Sequence, residues 1–161
     1  MKRSLIASAA FASALALAGI AAREGYVPVV YSDIVGVPTI GFGSTKGVRA
    51  GDRTDPVRAV QRLAQDANEH AKGIGKCIGD VPLHQHEWDA MVMLAHNVGV
   101  GAFCGSSIPR KLQAGQYEAA CKTILDFRRA GGRDCSLPEN KRFCGGVWAS
   151  RQAEYRQCVG S

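Results

Sequence analysis

The chain has 161 residues, of which 46% are hydrophobic and 21% charged, so it can form one folded domain and is too apolar for extended disorder. Its formal net charge of +6 favours an anionic partner, although charge alone does not choose between nucleic acid, a membrane surface and a cell wall. All six cysteines fall in the last 85 residues, and none has the CxxC spacing of a zinc or thioredoxin-type site. This pattern predicts disulfides and an oxidising compartment, with no metal site and no cofactor.

An uncharged run of 19 residues, 4–22, follows Lys2 and Arg3 at the start of the chain. A helix of this length would reach roughly 28 Å, close to the thickness of a bilayer core. The run contains nine Ala and three Ser, so it would be a marginal membrane anchor that could enter a bilayer and leave it again. The sequence Ala16-Leu17-Ala18 also suits a signal-cleavage site, so a cleaved secretory signal is the competing interpretation.

Turn signals and periodicity predict a small β-containing lobe, a long linking helix and a larger helical lobe, which is an α+β fold. Residues 25–49 alternate β-prone runs with Gly and Pro, which is typical of a strongly turned sheet. Asp55 and Pro56 mark the start of the linking helix, and Gly73 and Gly75 mark its predicted end. The remaining predicted segments are a helix from His84, two shorter helices over 107–115 and 117–127, a loop over 130–146 and a last helix containing Trp148, Arg151, Tyr155 and Cys158.

The cysteine positions suggest one pairing out of the fifteen that six cysteines allow. Cys135 and Cys144 flank one loop, and a helical hairpin would bring together the two cysteines that bracket the helix over 107–115. The predicted disulfides are therefore Cys135–Cys144, Cys104–Cys121 and Cys77–Cys158.

Glu24, Asp33 and Thr39 lie at the start of the β-rich region. Cleavage of a glycosidic bond needs one carboxylic acid to protonate the leaving oxygen and a carboxylate on the opposite face to position water or attack directly. The surrounding string resembles the active-site signature of the phage-type lysozymes, the endolysins of glycoside hydrolase family 24. The matching segments, in chain order, are Glu24-Gly25, Tyr31-Ser32-Asp33, Thr39-Ile40-Gly41-Phe42-Gly43, Trp88-Asp89-Ala90, His96-Asn97-Val98-Gly99, Arg110-Lys111-Leu112, Ala130-Gly131-Gly132 and Arg151-Gln152-Ala153-Glu154.

The resemblance implies a lysozyme-like fold and a catalytic trio. In this interpretation Glu24 is the general acid, and Asp33 and Thr39 hold the attacking water in an inverting reaction, while a retaining route with Asp33 as the nucleophile stays open. The implied reaction is hydrolysis of the β-1,4 bond between N-acetylmuramic acid and N-acetylglucosamine in peptidoglycan, leading to lysis of the host cell.

Other residues have weaker assignments. The resemblance places Asn97 at the cleft, as a saccharide contact or a purely structural amide, and it suggests that Arg151 pairs with Glu24, although a solvated surface position is the alternative. Tyr31 lies two residues before Asp33 and should share its face of a strand, so a contact with the substrate is possible. His84 and His86 form an HxH pattern without a third ligand, and Trp88 is predicted to lie in the core.

The sequence departs from the family in two places. Ser44 stands where family members commonly have His, which removes any hydrogen bond that this His would make. Residues 134–146 look like an insertion carrying two of the cysteines. Three alternative functions remain: a non-catalytic peptidoglycan-binding module, a cationic membrane-disrupting protein and a lytic transglycosylase.

The resemblance also bears on the amino-terminal segment, because the catalytic Glu of this fold ends an amino-terminal helix. Cleavage after Ala18 would leave five residues before Glu24, too few for a stable helix. We therefore predict a signal-arrest-release endolysin, with 1–23 as the signal-anchor segment and 24–161 as the catalytic domain. It would contact the host inner membrane through 4–22 on the periplasmic face and then be released to the periplasm, with a functional link to a holin. A monomer that does not bind nucleic acid is expected.

Overall fold

The computed structural model describes residues 2–33 and 36–161. The helices are α1 Ala14–Glu24, α2 Pro56–Ile78, α3 Gln85–Val98, α4 Val100–Cys104, α5 Ile108–Gln113, α6 Tyr117–Thr123 and α7 Lys141–Val159. The strands are β1 Leu5–Ile6, β2 Val27–Ser32, β3 Pro38–Gly41, β4 Pro82–Leu83, β5 Arg129–Ala130 and β6 Arg133–Asp134. They form the antiparallel pairs β1–β4, β2–β3 and β5–β6, so the predicted α+β architecture is confirmed.

Helix α2 links the β2–β3 hairpin to the helical lobe. It begins as predicted: the Asp55 carboxylate accepts a hydrogen bond from the backbone N–H of Arg58 at 2.9 Å, and Pro56 occupies the first helical position. The predicted end at Gly73 and Gly75 is wrong, because the helix continues to Ile78. A Cβ at Gly73 would lie 2.7 Å from a methyl group of Val100, so this glycine permits the close approach of α2 and α4.

Helix α3 forms the centre of the core. Trp88, Met91 and Leu94 are fully buried, and α3 packs against α2 on one side and α7 on the other. The indole N–H of Trp88 donates to the carbonyl of Phe11 at 2.8 Å, which satisfies the one polar atom of a buried ring. The core position predicted for Trp88 is therefore confirmed.

The first residues of the chain pack on the helical lobe. Strand β1 pairs with β4, and the Arg3 guanidinium donates to the Glu87 carboxylate at 2.8 Å and lies 3.7 Å from the centre of the Tyr117 ring. Ser13 caps α1 by accepting from the backbone N–H of Ala16, and its hydroxyl donates to Asp89 at 2.8 Å. Among the helices described, none combines the length and the apolar character that crossing a membrane requires.

The segment predicted as a loop over 130–146 is more ordered than expected. Its first part belongs to the β5–β6 hairpin, and α7 already begins at Lys141. Asp134 organises the connection, because its carboxylate accepts from Ser136 at 2.6 Å and from the guanidinium of Arg128 at 3.0 Å. These hydrogen bonds lower the pKa of Asp134 to about 2.

All six cysteines form disulfides, but two of the three predicted pairs are wrong. The structure joins Cys135 to Cys144, as predicted, and it joins Cys77 to Cys104 and Cys121 to Cys158. The predicted helical hairpin is not what brings the cysteines together. Helix α2 runs on to Ile78 and packs against α4, which sets Cys77 beside Cys104, while α6 packs against the carboxyl-terminal part of α7.

We predict that removing the Cys121–Cys158 disulfide destabilises the protein more than removing Cys135–Cys144. The two pairs are separated by 37 and 9 residues, and a longer loop loses more entropy in the unfolded chain when it is closed. The loop-entropy relation gives costs of about 4 and about 2.5 kcal/mol. Urea unfolding of the two double Ala variants tests the order, and equal midpoints would contradict it.

Candidate active site

Glu24 is the last residue of α1. The helix packs Ala16 and Ile20 against Leu63 and Ala67 of α2, with Met93 of α3 closing the cluster. The backbone of Gly25 then takes a φ of +70°, which ends the helix and turns the chain into β2. The amino-terminal helix inferred from the family resemblance is thus present, and it is built from the Ala-rich run.

The Glu24 side chain lies directly against Gly43, in the turn that follows β3. A Cβ at Gly43 would be 3.0 Å from the Oε2 atom of Glu24 and 3.2 Å from its Cγ and Cδ. Gly43 also has a φ of +81°, a conformation that disfavours other residues. The glycine therefore lets the end of α1 approach the β2–β3 hairpin closely enough for the carboxyl group to rest on it.

Asp33 and Thr39 are brought together by the β2–β3 hairpin. Tyr31 pairs with Thr39 in the antiparallel register, and Asp33 follows β2 directly. Both side chains bind Val37: its N–H donates to the Asp33 carboxylate at 2.8 Å, and its carbonyl accepts from the Thr39 hydroxyl at 2.9 Å. Thr39 is buried, whereas Tyr31 is exposed, which leaves the Tyr31 ring accessible to a ligand.

Ser44 occupies a buried polar position behind the Gly43 turn. Its hydroxyl donates to Asp66 of α2 at 2.6 Å, so the serine ties the turn to the linking helix. His70 donates through Nδ1 to the carbonyl of Asp66 at 2.7 Å, and its ring centre lies 5.1 Å from that of His96. The sequence singled out Ser44 only as a position where the family commonly has His, and it gave no role to Asp66, His70 or His96.

Arg151 does not form the ion pair with Glu24 that was considered from the sequence. Among the described residues, its guanidinium binds Glu154 at 2.9 Å and donates to the Asn97 amide oxygen at 3.0 Å. Arg23 completes the group, with 2.7 Å between its guanidinium and the Glu154 carboxylate. Arg151 and Glu154 are fully buried, so the sequence alternative of a solvated Arg151 is also wrong.

Asn97 is exposed and borders a groove, although its amide oxygen is taken by Arg151. The groove has a volume of about 490 Å³ and lies where the end of α3 meets the β5–β6 hairpin and α7. It is lined by Asn97, Val98, Asp126, Phe127, Arg129, Ala130 and Val147. The remaining polar atoms of Asn97 are in a position to meet a polar ligand there.

No group of three or more His, Cys, Asp or Glu side chains suited to a metal ion occurs within residues 2–33 and 36–161. The rings of His84 and His86 stack with their centres 5.2 Å apart, and Nδ1 of His86 faces the carbonyl of Cys158 at 3.1 Å. The backbone N–H of His84 donates to Glu87 at 2.7 Å, which places His84 at the start of α3 as the sequence suggested.

Burial dominates the electrostatics of Glu24. Its partial removal from water raises the pKa of the carboxyl group, and the positive charge of the neighbouring Arg23 opposes that rise. A carboxyl group with a raised pKa keeps its proton to higher pH, as a general acid requires. Burial also raises the pKa of Glu154, against the lowering effect of Arg151 and Arg23.

Three comparisons relate the chain to known proteins. The Phage lysozyme family model matches residues 21–143. The chain belongs to the phage lysozyme family. It is 33% identical over 126 residues to the endolysin of Salmonella phage P22, with 74% of this chain and 86% of that protein covered. It is 31% identical over 149 residues to the SAR-endolysin of Pseudomonas phage phiKMV, with 92% and 88% covered.

Solved structures show the same fold. A P22 lysozyme variant superimposes with a TM-score of 0.77 at 28% identity, covering 93% of this chain and 99% of that one. An endolysin from Escherichia coli O157:H7 phage FAHEc1 gives a TM-score of 0.79 at 25% identity, covering 94% of both chains. As a member of the phage lysozyme family, the chain is a glycoside hydrolase of the muramidase type that serves peptidoglycan lysis.

His96 generates a prediction about stability. The pKa of His96 is lowered to about 4, mainly by burial and to a smaller extent by the charge of His70. The charge of Asp66 acts in the opposite direction. In the unfolded chain an ordinary His takes up a proton near pH 6.5, so the unfolded state binds more protons as the pH falls from about 6.5 to 4. The free energy of unfolding should therefore decrease over this window.

Replacing His96 by Gln should flatten that part of the stability profile, because Gln does not titrate. Urea unfolding at half-unit pH steps measures both proteins. His84→Gln, at a partly exposed position that starts α3, is the matched control. An unchanged slope in His96→Gln would contradict the assignment.

Proposed function

We propose that the protein hydrolyses the β-1,4 bond between N-acetylmuramic acid and N-acetylglucosamine in peptidoglycan, with Glu24 as the general acid. The observation that carries this proposal is the position of Glu24: a partly buried carboxyl group with a raised pKa, set against Gly43 between the end of α1 and the hairpin of Asp33 and Thr39. Membership of the phage lysozyme family supports the same chemistry.

The roles of the three residues follow from the chemistry of the bond. Protonated Glu24 donates its proton to the glycosidic oxygen as the bond to the anomeric carbon breaks. Asp33 accepts a proton from a water molecule that Thr39 helps to hold, and this water attacks the anomeric carbon from the opposite face. This assignment gives inversion, and attack by Asp33 itself would give retention instead. We propose substrate contacts for Tyr31, which is exposed opposite Thr39, and for Asn97 at the groove.

Replacing Glu24 by Gln should abolish hydrolysis while the thermal midpoint changes little, because the proton donor is lost at nearly constant shape. The loss should be about 100-fold or more. Release of soluble fragments from purified peptidoglycan measures the activity, and Glu69→Gln, at an exposed carboxylate, is the matched control. Substantial cleavage by pure Glu24→Gln protein would show that the acid is misassigned.

Mass spectrometry of the digest separates this proposal from its alternatives. Hydrolysis leaves reducing N-acetylmuramic acid ends that carry the mass of one added water. A lytic transglycosylase would leave anhydro ends, and a non-catalytic binding module would release no fragments at all. ¹H NMR of the digest, recorded before mutarotation, shows whether the α or the β anomer forms first, and so distinguishes inversion from retention.

We also propose that residues 1–23 are a retained signal-anchor segment and that 24–161 form the catalytic domain. In this model the protein first sits on the periplasmic face of the host inner membrane through 4–22, and a holin that collapses the membrane potential speeds its release to the periplasm as a monomer. The similarity to the phiKMV SAR-endolysin supports the membrane stage. The contacts of Arg3 with Glu87 and of Ser13 with Asp89 support retention, since cleavage after Ala18 would remove both.

The mass of the protein recovered from the periplasm tests retention. We expect a mass that includes Lys2, with or without Met1, because the segment packs on the helical lobe after release. A product that begins at Gly19 would contradict the proposal. Replacing exposed Ala14, Ala18 and Ala22 by Leu should trap the protein in the membrane, whereas a cleaved signal would tolerate the same changes.

A further inference from the structure

The buried charges beside Glu24 are not balanced. Arg23 and Arg151 bring two guanidinium groups to the single carboxylate of Glu154, at 2.7 Å and 2.9 Å. Arg151 and Glu154 are fully buried, and the side chain of Arg23 is 19% exposed. With Glu154 ionised, these three side chains carry one surplus positive charge. Glu24 directly follows Arg23 in the chain.

Arg23 is also the anchor of the carboxyl-terminal end of α1. Ser13 holds the opposite end of the helix through its cap and its hydrogen bond to Asp89. At the other end, the short bond between Arg23 and Glu154 ties the last turn to α7, in the lobe away from Gly43. Because Arg23 and Glu24 are consecutive, the ion pair of Arg23 holds the last turn of α1 in place. This limits how far the Glu24 carboxyl group can move.

The surplus charge has a consequence for the reaction itself. Once Glu24 has given up its proton it becomes a carboxylate in a partly desolvated site, which is costly without a nearby cation. Arg23 supplies that cation, and its charge acts on Glu24 in the direction that favours ionisation. The guanidinium of Arg151 binds Glu154 and Asn97, whereas Arg23 directly precedes Glu24 in the chain and its charge acts on that carboxyl group.

We propose that Arg23, held by Glu154, is the positioning residue of the general acid: the ion pair fixes the Glu24 carboxyl against Gly43, and its charge stabilises the carboxylate formed when the proton is transferred. This inference rests on the proposed role of Glu24. It makes Arg23 the cationic neighbour of Glu24, the position that the family resemblance had suggested for Arg151.

Replacing Arg23 by Met and by Lys separates the two effects. Arg23→Met should lower kcat about 10- to 100-fold with little change in KM, because the acid is displaced while the saccharide contacts remain. It should also move the alkaline limb of the pH–rate profile to higher pH, because Glu24 loses the charge that favours its ionisation. Arg23→Lys should return the alkaline limb to its wild-type position while recovering only part of kcat, since Lys keeps the charge but not the planar guanidinium.

The control is Lys46→Met, which removes a cation from the exposed pair with Glu69 and should leave both kcat and the pH profile unchanged. Glu154→Asp supplies a second variant that preserves every charge and shortens the carboxylate by one methylene group. It should lower kcat without moving the alkaline limb. All rates are measured on soluble peptidoglycan fragments and divided by the folded fraction from circular dichroism.

Wild-type kcat per folded molecule in Arg23→Met would overturn the inference. So would a reduced kcat with an unmoved alkaline limb, which would indicate that Arg23 has a packing role alone. Wild-type kcat in Glu154→Asp overturns it as well. These outcomes differ from failure of the proposed function, which would appear as retained activity in Glu24→Gln.

Discussion

The end of helix α1 is the constraint on which the proposed catalytic centre depends. This helix has to carry Glu24 from the helical lobe to the hairpin of the small lobe, and a short Ala-rich helix has few side chains with which to do so. Ser13 fixes one end, Arg23 the other, and the small faces of Ala16 and Gly19 allow close packing on α2 and α3. A Cβ at Gly19 would lie 2.7 Å from the Met93 methyl group, so the Met93 side chain would have to shift to admit a larger residue.

The small lobe meets this helix with glycine, with hydrogen bonds and with the ring of Phe42, which packs on the apolar cluster around Ile20. Gly43 provides an open surface for Glu24, and Ser44 secures the same turn to α2 through Asp66. On the far side of the hairpin, Val37 holds Asp33 and Thr39 with its own N–H and carbonyl. The hairpin is thus fixed by a few directional bonds, which suits a site whose carboxyl groups need defined positions.

The helical lobe is stabilised in a different way. Its core around α3 is fully buried, and two disulfides close its edges where α2 meets α4 and where α6 meets α7. The same alanines that leave the amino-terminal run only mildly hydrophobic make it a good helix in water. Mild hydrophobicity therefore lets one segment serve both the membrane stage and the folded enzyme of the proposed mechanism.

The sequence by itself determined the features that depend on neighbouring residues. Asp55 and Pro56 begin α2, Trp88 faces the core, and Glu24, Asp33 and Thr39 stand in the order that indicates the family, because capping, periodicity and motif spacing are local. The tertiary structure decided which distant groups meet. It joins Cys77 to Cys104 and forms the ion pairs of Glu154 with Arg23 and Arg151. It also places Gly73 inside α2, where the helix packs on Val100, and not at the end of the helix. Such contacts depend on how helices far apart in the chain are placed against one another, and several pairings of the same charges and cysteines are compatible with the same local pattern.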